Sequence, residues 1–175
     1  DGDETSPDWS SEKNDDAICG SGVLAVGDAR IASPSGRILR VDGMDFVVSP
    51  SIDVWRAPTS NDSITDFYGF NQADAWRSAG YDVLENDVRS IRRRPDGSLL
   101  LSAYAAPLGR AYGVDMRILL SPVHEDGGKG EGTGLRMRWT GHVRGEWPQP
   151  WPRINVTFAI PLLFDSIRWY GYGPG

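Results

Sequence analysis

Cysteine, histidine and long apolar runs are nearly missing from this 175-residue chain, and each shortage closes a class of function. The one cysteine, Cys19, cannot form an internal disulfide. With only two histidines, His124 and His142, the chain is too poor in soft ligands for a structural zinc site. No apolar stretch approaches the roughly 20 residues that a membrane-spanning helix needs. No secretory leader is visible at Asp1. Bases are also short. Eighteen Lys and Arg against 24 Asp and Glu leave a net charge of −6, the wrong sign for a nucleic-acid partner. The single basic run, Arg92-Arg93-Arg94, stands beside Pro95-Asp96-Gly97 and reads as a solvated hairpin end.

Signatures of catalysis are missing as well. There is no Gly-x-Ser-x-Gly elbow, no phosphate loop and no His-Glu-x-x-His helix. Glu85, Glu125, Glu131 and Glu146 lack the apolar surroundings that would raise a carboxyl to the pKa of a general acid. His124 and His142 stand singly beside turns. Asn61 and Asn155 head Asn-x-Ser/Thr tripeptides of a kind that often arises by chance.

Glycine, proline and tryptophan are what the chain has in quantity. Twenty-one Gly and 12 Pro are too many for a helix bundle and too few for disorder, and 39% hydrophobic residues suffice for one core. Residues 1–21 hold seven acids and one lysine and read as an acidic linker or tail; residues 22–175 read as the folded domain. From Gly22 short apolar stretches alternate with turns: Ser33-Pro34-Ser35-Gly36, the hairpin dipeptide Asp42-Gly43, and Pro95-Asp96-Gly97. Along 114–120 the side chains of Val114, Met116 and Ile118 point one way and those of Asp115 and Arg117 the other. Closely spaced strands without a long repeat predict an all-β, antiparallel β-sandwich.

Between Ser49 and Tyr81 the pattern changes to two prolines, several Asn and Asp, and six aromatics. This predicts a long functional loop with a helical turn at 74–79, capped by Asn71 or Asp74. Seven tryptophans need places. Trp139 falls in an alternating strand and is expected in the core, and Trp55 and Trp76 are expected to pack. Trp147 and Trp151 lie in a proline-stiffened loop that suits packing or ligand contact equally. Trp169 leads into the turn Gly171-Tyr172-Gly173-Pro174, where a flat ring at a strand edge suits a sugar's apolar face.

Three stretches, taken in order, resemble one family. Trp55-Arg56-Ala57-Pro58-Thr59-Ser60-Asn61-Asp62 is similar to the W-R-A-P-T-D-N-D signature of the C-terminal β-sandwich (small chain, domain 5) of glycoside hydrolase family 2 β-galactosidases. Ala75-Trp76-Arg77-Ser78-Ala79-Gly80 falls where that family has a Trp before an Ala-Gly pair. Pro152-Arg153-Ile154 and Trp169-Tyr170-Gly171-Tyr172-Gly173-Pro174 resemble its P-R-[IV] strand and W-[YL]-G-x-G-P turn. The order agrees from about Gly22 onward. Ser60 replaces the family's usual Asp, and the family continues past Gly-Pro with a Glu-Asn-Tyr run.

The resemblance implies a sandwich of the galactose-mutarotase type, incomplete at its C-terminus as given, attached to a (β/α)8 barrel. It implies that two barrel glutamates, about 5 Å apart, hydrolyse β-galactosides with retention, and that this chain contains no catalytic residue. It further implies Trp169 as a stacking platform for substrate. A mobile loop near the site would carry Asn61, Asp62, Phe67, Tyr68 and Phe70. No cofactor is expected in the chain, with Mg and Na ions confined to the parent's catalytic domain. The expected partners are the β-galactoside and the barrel, within a cytoplasmic homo-oligomer, with no nucleic acid and no membrane. The readings that compete are a stand-alone carbohydrate-binding module, a purely structural or interface sandwich, and a mutarotase-type enzyme. The last lacks a convincing His/Glu pair.

Overall fold

Leu99–Pro107 and Gly113–Val123 alternate core-facing and outward residues, and both form long strands at the centre of an antiparallel sheet. The computed structural model describes residues 16–18, 20–123 and 134–163. Eleven strands are present among them. In chain order they are β1 (Asp16–Ala17), β2 (Gly22–Val26), β3 (Ala29–Ser33), β4 (Ile38–Val41), β5 (Met44–Asp45), β6 (Val48–Asp53), β7 (Leu84–Arg93), β8 (Leu99–Pro107), β9 (Gly113–Val123), β10 (Gly134–Arg144) and β11 (Asn155–Ala159). One sheet has the order β1-β7-β8-β9-β10, a second β2-β3-β4-β5, and β6 pairs with β11 in a third. A 3-10 turn at Asn61–Ser63 and one helix, α1 (Gln72–Ser78), interrupt the strands. The helix is far too short to cross a membrane, and no described helix is long and apolar enough to do so.

Period-two alternation builds the core. Ile91 of β7, Leu99, Leu101, Ala103 and Ala105 of β8, and Val114, Met116, Ile118 and Leu120 of β9 form one buried cluster with Val26, Ala29, Ile31 and Ile38 of the second sheet, with Ile52 of β6 alongside. The inward set predicted on β9 is the one observed. The fold is the antiparallel β-sandwich expected. Trp139 sits differently: it packs against the core but is only half-buried, and lines the open clefts on either side of it. Its strand, β10, is at the margin of the five-stranded sheet, and no described strand pairs with its outer edge.

Two turns follow the expected chemistry. Asp42 (φ 46°) and Gly43 (φ 75°) join β4 to β5 with both central residues left-handed, the geometry that suits a two-residue hairpin. Pro95-Asp96-Gly97 closes β7 onto β8, and the Asp96 carboxylate accepts from the backbone N–H (2.9 Å) and hydroxyl (2.6 Å) of Ser98.

Two boundaries differ from expectation. The long loop begins at 54, not 49, because Val48–Asp53 pairs with β11. Pro50 had argued against a strand. It is tolerated because it stands beside the register shift between Thr157 and Ala159, where a missing N–H leaves no ladder bond broken. Among the described residues Asp16 and Ala17 already pair with β7, Ala17 opposite Arg92, and the Ile18 N–H donates to the Ile91 carbonyl at 2.9 Å. The helix covers 72–78 rather than 74–79, since Asn71 caps it by accepting from the Asp74 N–H. A side-chain amide joins the layers: Asn86 on β7 accepts from the Ile52 N–H (3.3 Å) and donates to the Ile52 carbonyl (3.2 Å).

Candidate functional site: an aromatic loop on an aromatic base

The segment leaving β6 is held at its root by a second core. Val54, Trp76, Ala79 and Tyr81 are buried together, with Trp55, Tyr112, Trp147 and Trp151 packed around them. The helix places Trp76 inward, and its indole N–H donates to the Pro150 carbonyl at 3.0 Å. Tyr81 is fully buried; its hydroxyl donates to the Gln149 carbonyl (2.6 Å) and accepts from the Gln149 N–H (3.1 Å). Burial raises the Tyr81 pKa above its ordinary value, so the phenol stays protonated and keeps its donor. Trp147 stacks edge-on or tilted against Tyr81, Tyr112 and Trp151 at ring separations of 5.3, 5.0 and 4.8 Å. Trp147 and Trp151, left open between packing and ligand contact, are therefore packing residues here.

Upon that base sits an electrostatic clamp. The Arg56 guanidinium grips Asp62 with two hydrogen bonds (2.6 and 3.0 Å), and the backbone N–H and hydroxyl of Thr59 each donate to the same carboxylate at 2.7 Å. Arg56 also lies over the Trp76 ring, 5.1 Å from its centroid, and Arg77 lies over Trp55 at 5.8 Å. A planar fork matched to a carboxylate restricts both side chains, which fixes the 56–62 turn.

The Arg56 hydrogen bonds, then those from Thr59, hold Asp62 far below the ordinary carboxylate value of 3.8. A depressed folded-state pKa means stability that is present above the ordinary value and lost as pH falls through the folded value. The Thr59 amide proton is accordingly expected to titrate by NMR with a midpoint well below 3.8. A midpoint at the ordinary value would show that the clamp is open in solution, and Asp62→Asn should abolish the step.

Beyond the clamp the chain makes a self-closed tip. One Asp66 carboxylate oxygen accepts from the N–H groups of Tyr68 (2.9 Å) and Phe70 (2.8 Å), while the Asp66 N–H donates to the Phe70 carbonyl at 2.9 Å. Gly69 takes the left-handed φ of 82° that this turn requires. Asn71 then ties the loop shut by donating to the Ser63 carbonyl at 2.9 Å while capping α1. The tip pushes its aromatics outward: Phe67 is 96% exposed, Tyr68 90% and Phe70 45%. Phe67 and Tyr68 touch edge to face at 5.5 Å. A pair of large rings is thus held clear of the other described residues by a hydrogen-bonded turn.

The predicted site residues thus divide. Phe67, Tyr68 and Phe70 lie together on the tip. Asp62 belongs to the clamp beneath it. Asn61 begins the 3-10 turn, where its carbonyl receives the Ile64 N–H at 3.4 Å. Trp169 lies outside the described residues. Sequence reasoning missed Arg56 and Thr59 as the holders of Asp62, and Asp66 as the residue that shapes the tip. The Asp-x-Tyr-x-Phe spacing was the available signal for Asp66, since a short carboxylate reaches N–H groups two and four residues on. Among the described residues no three of His, Cys, Asp or Glu come close enough to hold a metal.

Comparison with known proteins agrees with this architecture. The sequence pattern of the beta galactosidase small chain matches residues 29–175. A β-galactosidase of Arthrobacter sp. (strain B7) is 26% identical over an alignment of 173 positions that covers 90% of this chain and 16% of that protein. A β-galactosidase of Kluyveromyces lactis is 25% identical over an alignment of 134 positions that covers 71% of this chain and 11% of that protein. The chain therefore spans less than a fifth of the length of either relative. With the pattern matched from the third strand onward, and with the clamp, helix and aromatic tip lying inside that match, the chain belongs to the β-galactosidase small-chain family.

Proposed function

We propose that this chain is the C-terminal β-sandwich of a β-galactosidase. In this reading it walls an active site formed mainly by a separate (β/α)8 domain, and hydrolyses nothing by itself. Terminal β-galactosides would be cleaved with retention by two carboxylates of that other domain. The single observation that carries the reading is the aromatic tip, Phe67 and Tyr68, exposed on a loop whose base is clamped by Arg56 and Asp62. Such a loop suits a surface that closes over a neighbouring site: a stiff root sets its position, and Gly69 lets the tip adjust.

The test is kinetic. In the full-length enzyme, Phe67→Ala/Tyr68→Ala should lower kcat/KM on an aryl β-galactoside about tenfold or more with folding intact, equivalent to about 1.4 kcal/mol of transition-state stabilisation. Unchanged kinetics would remove the tip from the active site, and a full-length protein without galactosidase activity would remove the reading altogether.

A second reading, an interface sandwich, is favoured by a different feature. Val47, Val48, Ile154, Val156, Phe158, Leu162 and Leu163 are all exposed on or beside the β6–β11 pair. That apolar band suits contact with a neighbouring part of the enzyme.

A further inference from the structure

Every residue from Ser63 to Phe70 is exposed, so packing against the described fold does not fix where the aromatic tip points. Hydrogen bonds must do so. Those of Asp66 join residues within 66–70, and they set the shape of the tip rather than its direction. Direction is set at the neck, where one limb of the loop leaves the clamp through Ser63 and the other enters α1 through Asn71. On the first limb, Ser63 donates its hydroxyl to the Thr59 carbonyl (3.1 Å) and Ile64 its N–H to the Asn61 carbonyl, both on the same limb. Among the described residues, the side chain that bridges the limbs below the tip is the Asn71 amide.

That amide serves two backbone groups of opposite polarity. Its oxygen accepts from the Asp74 N–H at 3.1 Å. Its nitrogen donates to the Ser63 carbonyl at 2.9 Å and stands 3.5 Å from the Thr65 hydroxyl. A backbone N–H only donates and a carbonyl only accepts, so the amide has one orientation, and a carboxylate could not replace both halves. The helix is a fixed mount. Its Trp76 indole is tied to the Pro150 carbonyl. At its C-terminal end, Arg110 donates to the Ser78 carbonyl (2.7 Å) and the Tyr112 hydroxyl to that of Ala79 (2.8 Å). The body therefore holds the far end of α1, and Asn71 holds the loop to the near end.

We propose that Asn71 is the positioning residue of the aromatic tip. It locks the neck of the loop to the first turn of α1, so that Phe67 and Tyr68 are carried in the direction the helix sets. Capping alone needs only an acceptor, which Ser, Thr or Asp would supply equally well. The donor half of the amide is the part the tip uses. Its effect on catalysis rests on the reading of the tip as an active-site wall; the mechanical link stands in this chain by itself.

Asn71→Asp separates the two halves, since it keeps the cap acceptor and sets a carboxylate oxygen against the Ser63 carbonyl. Asn71→Ser keeps a cap but lacks the reach. In the full 175-residue chain, backbone nitrogen relaxation should give residues 64–70 order parameters of about 0.85. In both variants these should fall together below about 0.6, while residues 73–78 stay at about 0.85. Both variants should keep Tm within about 3 °C of the parent chain. In the full-length enzyme, Asn71→Asp should raise KM on an aryl β-galactoside about three- to tenfold, the scale of one hydrogen bond, with kcat nearly unchanged. Lost folding would instead lower kcat by shrinking the active fraction and leave KM where it was. A tip already below about 0.6 without substitution, or one that stays ordered in Asn71→Asp, would overturn the proposal. So would order lost equally along α1, which would leave Asn71 a helix cap and nothing more. A loosened tip beside unchanged kinetics would uphold the neck and overturn the active-site reading instead.

Discussion

Trp76→Ala is expected to destabilise the protein by about 3–5 kcal/mol, the range for deleting a large buried aromatic side chain. Trp76 is 5% exposed and holds three things at once. Its ring meets Trp55 edge to face at 6.4 Å, its face carries the Arg56 guanidinium, and its N–H ties α1 to the Pro150 carbonyl. Alanine would leave a cavity and an unpaired carbonyl, and would remove one surface against which the clamp is built. In a chain of this size the loss corresponds to a fall in Tm of roughly 6–20 °C, read by circular dichroism. Trp76→Phe separates the contributions. It keeps most of the packing but not the donor, and should lose about 1–3 kcal/mol. A change under 1 kcal/mol for Trp76→Ala would mean that the aromatic base is peripheral to stability.

Leu101→Ala should cost about 2–5 kcal/mol, and its coupling to Gly36 is the more informative quantity. Leu101 is at the middle of β8 with 2% of its surface exposed. Gly36 has a φ of 67°, and a Cβ added there would stand 2.6 Å from Leu101 Cδ2 and 3.0 Å from Val88 Cγ2. Gly36→Ala therefore suffers twice, from left-handed backbone strain and from collision with the core, for about 1–3 kcal/mol. In the double variant the collision with Leu101 disappears and only the strain, the milder Val88 contact and the Leu101 cavity remain. The two changes should total less than their sum by about 0.5–3 kcal/mol, the range for residues in contact. Strict additivity in urea unfolding would show that the backbone alone demands glycine at 36.

The outline of the fold was legible because it depends on local signals. Alternation on β8 and β9 required only that one face meet a core, Asp42-Gly43 required only its own two φ angles, and Asn71 required only an N–H three residues on. The β6 strand was misread because Pro50 is forbidden in most of a sheet, and the register shift that tolerates it depends on β11, about a hundred residues away. Phe67, Tyr68 and Phe70 were singled out through the family resemblance, and the structure adds that their rings share one exposed tip.

The rest of the site depended on distance in space. A chain of residue types cannot say that Arg56 closes on Asp62 rather than on Asp53 or Asp66, since all three are carboxylates within ten residues. In the fold Asp53 accepts from the Trp55 N–H and Asp66 from those of Tyr68 and Phe70, while Asp62 faces the Arg56 guanidinium. Trp147 and Trp151 could have faced either way. Their direction was decided by the buried Tyr81, whose hydroxyl binds both backbone groups of Gln149 and draws that loop inward. By itself the sequence determined composition, charge, strand periodicity, turns and family, because each is a property of residues close together in the chain. The tertiary structure alone decided which aromatics are core and which are surface, and which carboxylate Arg56 meets. Burial and charge pairing are settled by whichever neighbours the fold brings within a few ångströms.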